Sequence, residues 1–173
     1  MPEIKDYLSK TFLEQQGVTL EQVLENLHRA KSEFTIKLEQ ADLYEPVMLG
    51  KWTPAKIADH LNTANSFFAV CLERAIKNKA VIVMPKGHVT QDGRAVNPGQ
   101  EPRANVSRDE LRQNHEIAFE ALIRYATKLE TSELLTTVCV TQSFFGELTT
   151  LEVLRLCAWH TGHHAAQIPT PKT

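Results

Sequence analysis

The sequence is poor in the features that mark secreted, membrane-spanning and nucleic-acid-binding proteins. It has only three cysteines, Cys71, Cys139 and Cys157, and this odd, widely spaced set argues against a disulfide framework. The formal net charge is -2 with no basic stripe, so we expect neither nucleic acid nor an anionic membrane as partner. No apolar run is long enough to span a bilayer, and the N-terminus lacks the apolar segment of a signal peptide. We therefore expect a cytoplasmic protein.

The composition is otherwise that of an ordinary globular chain. Of its 173 residues, 42% are apolar and 23% are charged, which is enough apolar material for a core of usual size. No internal repeat and no low-complexity segment interrupts the sequence. We therefore predict one domain over residues 1–173.

Apolar residues recur at helical spacing in four long segments, and each segment begins with a helix-start signal. The predicted spans are about 19–40, 54–78, 107–129 and 150–168. The predicted caps are Thr19, Thr53 with Pro54 behind it, Ser107 with Glu110 completing a capping box, and Thr149 or Thr150. Pro169 ends the last segment. We therefore predict an all-α fold, a four-helix bundle.

Two stretches between these helices carry a different pattern. Residues 80–106 form the longest stretch without helical spacing, and we interpret them as a crossover that joins two parallel helices and is a candidate cover for the site. His88 and Arg94 could reach a substrate from it, although a solvated loop position is the better expectation for each. Residues 136–141 are rich in strand formers, so we expect them to be extended or briefly paired with the crossover.

The last helix carries the clearest chemical signal. Val153, Cys157, His160 and His164 fall within one narrow stripe that should face the core. Residues four apart project side by side, and that spacing lets two ring nitrogens bind one metal ion. The alternatives are hydrogen-bonded core histidines or a solvated pair at the helix end. Two buried imidazoles are unfavourable without a partner that satisfies both, so we favour the metal.

The second helix supplies a third imidazole. His60 falls inside its apolar stripe, whereas Asp59 and Asn62 face away from that stripe. Taken alone, His60 could equally well be a hydrogen-bonded core residue or a metal ligand. Together with His160 and His164, it completes the three nitrogens that a catalytic metal site with open positions needs.

Three further histidines lie near this set in the predicted fold. His115 falls on or near the inner side of the third helix and, like His88, is a candidate fourth ligand. His163 points to the flank of the last helix, near Trp159 and Gln167. We interpret His163 as a residue behind the ligands or at the surface rather than as a ligand.

Two parts of the sequence resemble motifs of a known protein family. Lys51–Leu61 looks like the second-helix motif of the DinB/YfiT-like superfamily, and Phe145–Thr149 followed by His160–Ile168 looks like its last-helix motif. Both lie at the expected places in a chain of the expected length, so the resemblance covers nearly the whole sequence. It implies a four-helix bundle in the order up-down-down-up, with a long crossover between helices 2 and 3.

The same resemblance implies a metal site. By the resemblance, the metal triad is His60, His160 and His164. It implies a divalent ion, with nickel or zinc favoured over iron, copper or manganese, and it implies a homodimer. Some relatives look like transferases or isomerases that use a low-molecular-weight thiol such as bacillithiol or mycothiol, and others look like hydrolases. The fold by itself does not choose between these reactions.

Our leading hypothesis is a metal-dependent enzyme that acts on a small-molecule substrate. An ion bound by three neutral imidazoles keeps open coordination positions and lowers the pKa of a bound thiol or water. Transfer of a thiol to an electrophile is slightly favoured over hydrolysis because no carboxylate base stands out. Asp59 points away from the metal-facing side of its helix. Glu147 lies just before the last helix and is better explained as a solvated residue at the end of a loop than as a catalytic base. Cys71 and Cys157 could lie near the metal, but buried thiols usually behave as small apolar residues.

The alternative hypothesis is a non-catalytic bundle. In that case the metal ties the second and last helices together or is sensed there, and the useful surface is a dimer face. A fourth protein ligand, such as His88 or His115, would close the coordination sphere and favour this alternative. An open position facing a pocket would favour the enzyme.

Overall fold

A computed structural model describes residues 10–46, 51–89, 95–99 and 101–169. Its helices are α1 Lys10–Glu14, α2 Leu20–Gln40, α3 Pro54–Ile76, α4 Arg108–Ala126, α5 Ser132–Thr136 and α6 Thr150–Gln167. Its strands are β1 Ile82–Val83, β2 His88–Val89, β3 Ala95–Val96, β4 Val138–Gln142 and β5 Gly146–Thr149. The four long helices α2, α3, α4 and α6 confirm the predicted bundle. The described residues also form two small sheets, so the fold is mostly rather than wholly helical.

The long helices begin where the sequence predicts. In each case a cap side chain accepts a hydrogen bond from the backbone N–H three residues later, which contributes about 1 kcal/mol per cap. The four caps are Thr19, Thr53, Ser107 and Thr149. Thr149 rather than Thr150 caps α6, because the Thr150 hydroxyl instead donates to the Leu134 carbonyl at 2.6 Å.

The predicted capping box at the start of α4 is only half present. Ser107 accepts the N–H of Glu110 at 3.2 Å, as expected. The Glu110 carboxylate, however, accepts a hydrogen bond from Nη1 of Arg103 at 2.8 Å. The Glu110 carboxylate therefore forms an ion pair with Arg103, in the segment that leads into α4, instead of the second hydrogen bond of the capping box.

Specific contacts fix the directions of α3 and α4. Asn62 lies near the beginning of α3 and donates to the carbonyl of Leu111, near the beginning of α4, at 2.9 Å. Glu73 lies near the end of α3 and accepts a hydrogen bond from Tyr125, near the end of α4. The two helices therefore run in the same direction.

The helices α2 and α6 also run in the same direction. At their beginnings, Nε of Arg155 donates to the carbonyl of Gly17 at 2.8 Å. Further along, a Cβ built on Gly162 would lie 3.9 Å from Cβ of Ala30. The end of α6 lies near the second half of α2, where Ala165 shares a buried cluster with Phe34 and Leu38. His60, near the beginning of α3, faces that same end of α6.

The segment between α3 and α4 forms part of a small sheet. Its strand β1 pairs in parallel with β4, with Ile82 opposite Val140 and Val83 opposite Thr141. Of the two alternatives for residues 136–141, brief pairing with the crossover is therefore the one observed, although Thr136 itself belongs to helix α5. β4 then pairs with β5 as an antiparallel hairpin. Arg94 lies outside the described residues, and so do residues 90–93 and 100, so the full course of this connection stays a prediction.

The core consists of two clusters of buried side chains. One cluster includes Leu72 and Leu154 and joins the end of α3 to the sheet and the beginning of α6. The other includes Leu61 and Ala165 and joins the beginning of α3 to the end of α6. Each fully buried leucine contributes about 1.5–3 kcal/mol, so the relative positions of these helices are well determined. None of the described helices is both long and apolar enough to cross a membrane.

Candidate metal centre

Three imidazoles meet where the beginning of α3 packs against the end of α6. Nε2 of His160 lies 3.1 Å from Nε2 of His60 and 2.9 Å from Nε2 of His164. One ring nitrogen from each residue lies within 4.8 Å of the others. The structure therefore brings together the three histidines that the sequence singled out. Since α3 and α6 run in opposite directions, a residue in the second turn of one reaches the last two turns of the other.

Burial makes all three imidazoles neutral near pH 7. Loss of water lowers the pKa of His60 to about 4, although the charge of Asp59 partly opposes this shift. Loss of water, with a smaller contribution from the charge of His60, lowers the pKa of His164 to about 3. The pKa of His160 also lies well below its ordinary value for the same main reason. Neutral imidazoles are the form that binds metal ions, because each keeps one lone pair.

Hydrogen bonds between the three rings cannot provide every ring nitrogen of the cluster with a partner. A neutral imidazole has one N–H and one lone pair, so Nε2 of His160 cannot form a full hydrogen bond with both of its neighbours. Nδ1 of His160 is buried without a partner among the described residues, as is Nε2 of His115, so this feature alone does not set the cluster apart. A divalent cation accepts three lone pairs at once, so it fits this donor set better than hydrogen bonds between the rings do.

A side chain that the sequence analysis did not assign a role lies behind one of these rings. Oε1 of Gln167 lies 2.8 Å from Nδ1 of His164, and Nε2 of Gln167 lies 3.0 Å from Nε2 of His163. His163 is therefore outside the cluster but connected to it, in agreement with its interpretation as a residue behind the ligands. The spacing of Gln167, three residues after His164, was the available signal, because such residues share a helix face.

Two tryptophans pack beside the cluster. The Trp52 ring lies 5.1 Å from that of His60, measured between centroids. The Trp159 ring stacks on His160 at 6.2 Å and on His163 at 5.1 Å. These large rings restrict the rotation of the imidazoles and reduce the access of water to them.

The prediction that Asp59 and Asn62 face away from the packed side of α3 is wrong. Asp59 is only 5% exposed and accepts hydrogen bonds from the backbone N–H and Nη2 of Arg103, each at 2.7 Å. Asn62 is 4% exposed and contacts α4. The stripe pattern revealed only the side of α3 that faces α6, whereas the segment before α4 and α4 itself cover the opposite side. The Asp59 carboxylate is consequently engaged by Arg103.

The other candidate histidine ligands lie outside the cluster. His115 is buried, and its Nδ1 lies 3.1 Å from Oδ1 of Asn62, while its ring stacks on Phe34 at 5.1 Å. Burial lowers the pKa of His115 to about 4. His88 is exposed and pairs with Val96 in the small β2–β3 sheet. Among the described residues, the group of histidine, cysteine and acidic side chains at the centre has three members.

The remaining polar candidates also have other surroundings. Glu147 is exposed and pairs with Thr141 in the hairpin. Cys71 and Cys157 are fully buried in the larger core cluster. Loss of water raises the pKa of Cys71 to about 12 and that of Cys157 well above its ordinary value, so both are protonated thiols in the core.

The fold and the site together define a helical bundle whose second and last long helices present three converging imidazoles. The chain belongs to the DinB superfamily, whose sequence profile matches residues 13–168. This membership confirms the resemblance seen in the two motifs. No curated protein sequence matches the chain.

Solved structures share the fold. One is TT2238, described as a four-helix bundle protein, which is 23% identical, with 86% of this chain and 96% of that chain covered at a TM-score of 0.63. Another is a mycothiol-dependent maleylpyruvate isomerase, which is 16% identical at a TM-score of 0.66, with 100% of this chain and 65% of that chain covered. A histidine-to-alanine mutant of that isomerase is 15% identical over the same share of both chains, with a TM-score of 0.66. The chain thus spans 65% of the length of the isomerase.

Proposed function

We propose that His60, His160 and His164 bind one divalent metal ion and that the protein is a metal-dependent enzyme. The observation that carries this proposal is the convergence of three neutral ring nitrogens, two pairs of which lie 2.9 Å and 3.1 Å apart. Two ligands that each lie about 2.0–2.1 Å from an ion are about 2.8–3.4 Å apart when the angle between them is 90° to 109°. The observed spacing is close to that range, so the side chains need only small movements to bind an ion.

The small number of protein ligands supports catalysis over a purely structural role. Structural zinc sites are usually closed by four protein ligands, whereas catalytic sites keep a position open. The two candidates for a fourth ligand, His88 and His115, do not join the cluster. His60 and His160 are each partly exposed, so the cluster is not fully enclosed by protein.

The reaction class that we favour is the transfer of a low-molecular-weight thiol to an electrophile. A divalent ion held by three neutral imidazoles keeps its full charge and lowers the pKa of a coordinated thiol or water towards neutrality. In the transfer, sulfur forms a bond to the electrophilic carbon, the leaving group departs with the bonding electrons, and the thiol proton passes to solvent. The likeness to a mycothiol-dependent isomerase is consistent with thiol chemistry, although at 15–16% identity it supports the fold only.

The side chains around the cluster favour thiol transfer over hydrolysis. Many metal-dependent hydrolases pair the ion with a carboxylate that acts as general base, and no carboxylate of the described residues belongs to the cluster. The nearest acidic residue in sequence, Asp59, is bound by Arg103. A thiol of lowered pKa needs no such base, because it reacts as the thiolate.

Metal content measured on untagged protein tests the proposal. We expect about one divalent ion per chain in the wild type by elemental mass spectrometry and almost none in a His160→Ala variant, since two imidazoles hold an ion much less tightly than three. His88→Ala is the matched control, because it removes an exposed imidazole outside the cluster, and it should keep the ion. A wild type that takes up no nickel, zinc or other divalent ion would overturn the metal site.

The reaction class needs a second experiment. The metal-loaded wild type and His60→Ala should be assayed with simple thiols and an aryl halide, and separately with activated esters. We expect thiol consumption that depends on the ion and on His60. Ester hydrolysis without thiol consumption would favour the hydrolase instead. The homodimer remains a prediction, to be tested by sedimentation of the purified protein.

A further inference from the structure

The side chain behind His164 is that of Gln167, a neutral amide whose oxygen and nitrogen each contact a histidine ring. Oε1 of Gln167 lies 2.8 Å from Nδ1 of His164. Because a carbonyl oxygen only accepts hydrogen bonds, this contact places the proton of His164 on Nδ1. Nε2 of His164 is then a lone pair, and this atom lies 2.9 Å from Nε2 of His160 at the centre of the cluster. The amide thus selects the tautomer that can bind a metal ion.

His163 extends this chain of hydrogen bonds beyond the amide. Nε2 of Gln167 donates to Nε2 of His163, which lies 3.0 Å away. In the reversed chain, His163 would donate to the amide oxygen and the amide nitrogen would donate to Nδ1 of His164. His164 would then carry its proton on Nε2, where it would block the lone pair that faces the cluster. Only one of the two directions is therefore compatible with metal binding.

We propose that Gln167, oriented by His163, is a positioning residue of the metal centre that holds His164 as an Nε2 ligand and leaves the charge of the ion undiminished. This inference rests on the proposed metal site. A histidine ligand more often has a carboxylate, a carbonyl or water behind it, and a carboxylate makes the imidazole a stronger donor. A neutral amide lacks that effect, so the centre keeps more positive charge and attracts an anionic sulfur ligand more strongly.

Two variants of Gln167 separate its role in orienting His164 from its effect on the charge at the centre. Co²⁺ is a suitable probe because its absorption spectrum depends on the ligands that bind it. Gln167→Ala removes the acceptor, and we expect about tenfold weaker Co²⁺ binding, at the lower end of the usual 10–100-fold range, because Gln167 is exposed and water can partly replace it. Gln167→Glu supplies a charged acceptor, so we expect tighter Co²⁺ binding than in the wild type. At fixed pH, the same variant should bind 2-mercaptoethanol to the Co²⁺ centre more weakly, as measured from the sulfur-to-cobalt absorption band.

Ala166→Glu is the matched control for charge. Ala166 is exposed in the same last turn of α6, so the new carboxylate has the same effect on the helix end without facing His164. We expect this variant to bind Co²⁺ and 2-mercaptoethanol as the wild type does. His163→Ala should weaken Co²⁺ binding by less than Gln167→Ala, because it removes only the bond that orients the amide.

The outcomes distinguish this inference from the proposed function. If the wild type binds Co²⁺ and the Gln167 variants bind it equally well, the inference is wrong and the metal site stands. If Ala166→Glu reproduces the effects of Gln167→Glu, the charge acts at long range and the inference is again wrong. If the wild type binds no Co²⁺, the proposed function fails and the inference fails with it. Circular dichroism of the metal-free proteins checks that every variant is folded.

Discussion

The protein has two buried histidine sites that differ in how the rings are satisfied. In the cluster of His60, His160 and His164, three ring nitrogens point towards one another. At the other site, His115 contacts the amide of Asn62 and stacks on the ring of Phe34. Burial lowers the pKa of His60 and that of His115 alike, each to about 4. Burial and a lowered pKa therefore do not distinguish the two sites, whereas the convergence of three ring nitrogens does.

The largest expected difference between the two sites is in their response to metal. An ion at a free concentration 1,000 times its Kd should raise the free energy of unfolding by about 4 kcal/mol in the wild type. We expect this gain to disappear in His164→Ala and to remain in His115→Ala, although the latter should start from a lower stability. Chemical denaturation with and without Zn²⁺ measures the gain. Equal gains in both variants would remove the distinction between the sites.

Acid should reveal the core histidine when metal is absent. His115 has a pKa of about 4 in the folded protein, against 6.5 ordinarily, so between these pH values the unfolded chain binds a proton that the folded chain does not. Stability should therefore fall as the pH drops from about 6.5 to about 4, and His115 should account for about 3 kcal/mol of that loss. His115→Gln cannot titrate and keeps an amide donor for Asn62, so its stability should depend less on pH. Denaturation in the presence of a chelator tests this, and an unchanged pH dependence would contradict it.

Asp59 should contribute to stability without affecting metal content. Asp59→Asn weakens a buried, charge-assisted contact with Arg103, and we expect a loss of about 1–3 kcal/mol in the free energy of unfolding. The control is Asp109→Asn, which weakens an exposed pair with Arg112 and should change stability by about 0.5 kcal/mol or less. Both variants should hold the wild-type amount of metal. A loss of metal in Asp59→Asn alone would connect this carboxylate to the cluster.

The smallest expected effects are those of the helix caps. Thr149→Ala removes a cap from the helix that carries His160 and His164, and Ser107→Ala removes one from the helix that carries His115. Each should lower the free energy of unfolding by about 1 kcal/mol, and neither should change metal content. Metal loss in Thr149→Ala would show that the fraying of α6 extends to its last turns.

Local signals in the sequence predicted the helices and the cluster. Apolar spacing and cap residues mark the long helices because both depend on neighbours within one turn. His160 and His164 could be paired for the same reason, since residues four apart share a helix face. His60 was placed with them by its position in the apolar stripe of the second helix and then by the family motif, although the contact joins residues 100 positions apart in sequence.

The errors in the sequence analysis concern contacts between distant parts of the chain. Asp59 was expected to face away because it lies opposite the apolar stripe, but Arg103 covers that side of α3. Glu110 fits a capping box by its spacing, yet the same arginine takes up its carboxylate. The role of Gln167 was missed because a polar residue at the end of a helix usually faces water. Polar side chains obtain their partners from tertiary packing, which periodicity does not describe.

The separation of 100 residues between His60 and His160 also has a consequence for folding. Closing a flexible loop of that length costs about 4 kcal/mol in chain entropy by the logarithmic estimate. An ion bound by all three imidazoles, as proposed, would therefore bind favourably only after α3 and α6 have docked. A chain interrupted before α6 retains a single member of the cluster, His60. Under the proposed function, the complete chelate would therefore form late in folding and would act as a reversible cross-link between the two halves of the sequence.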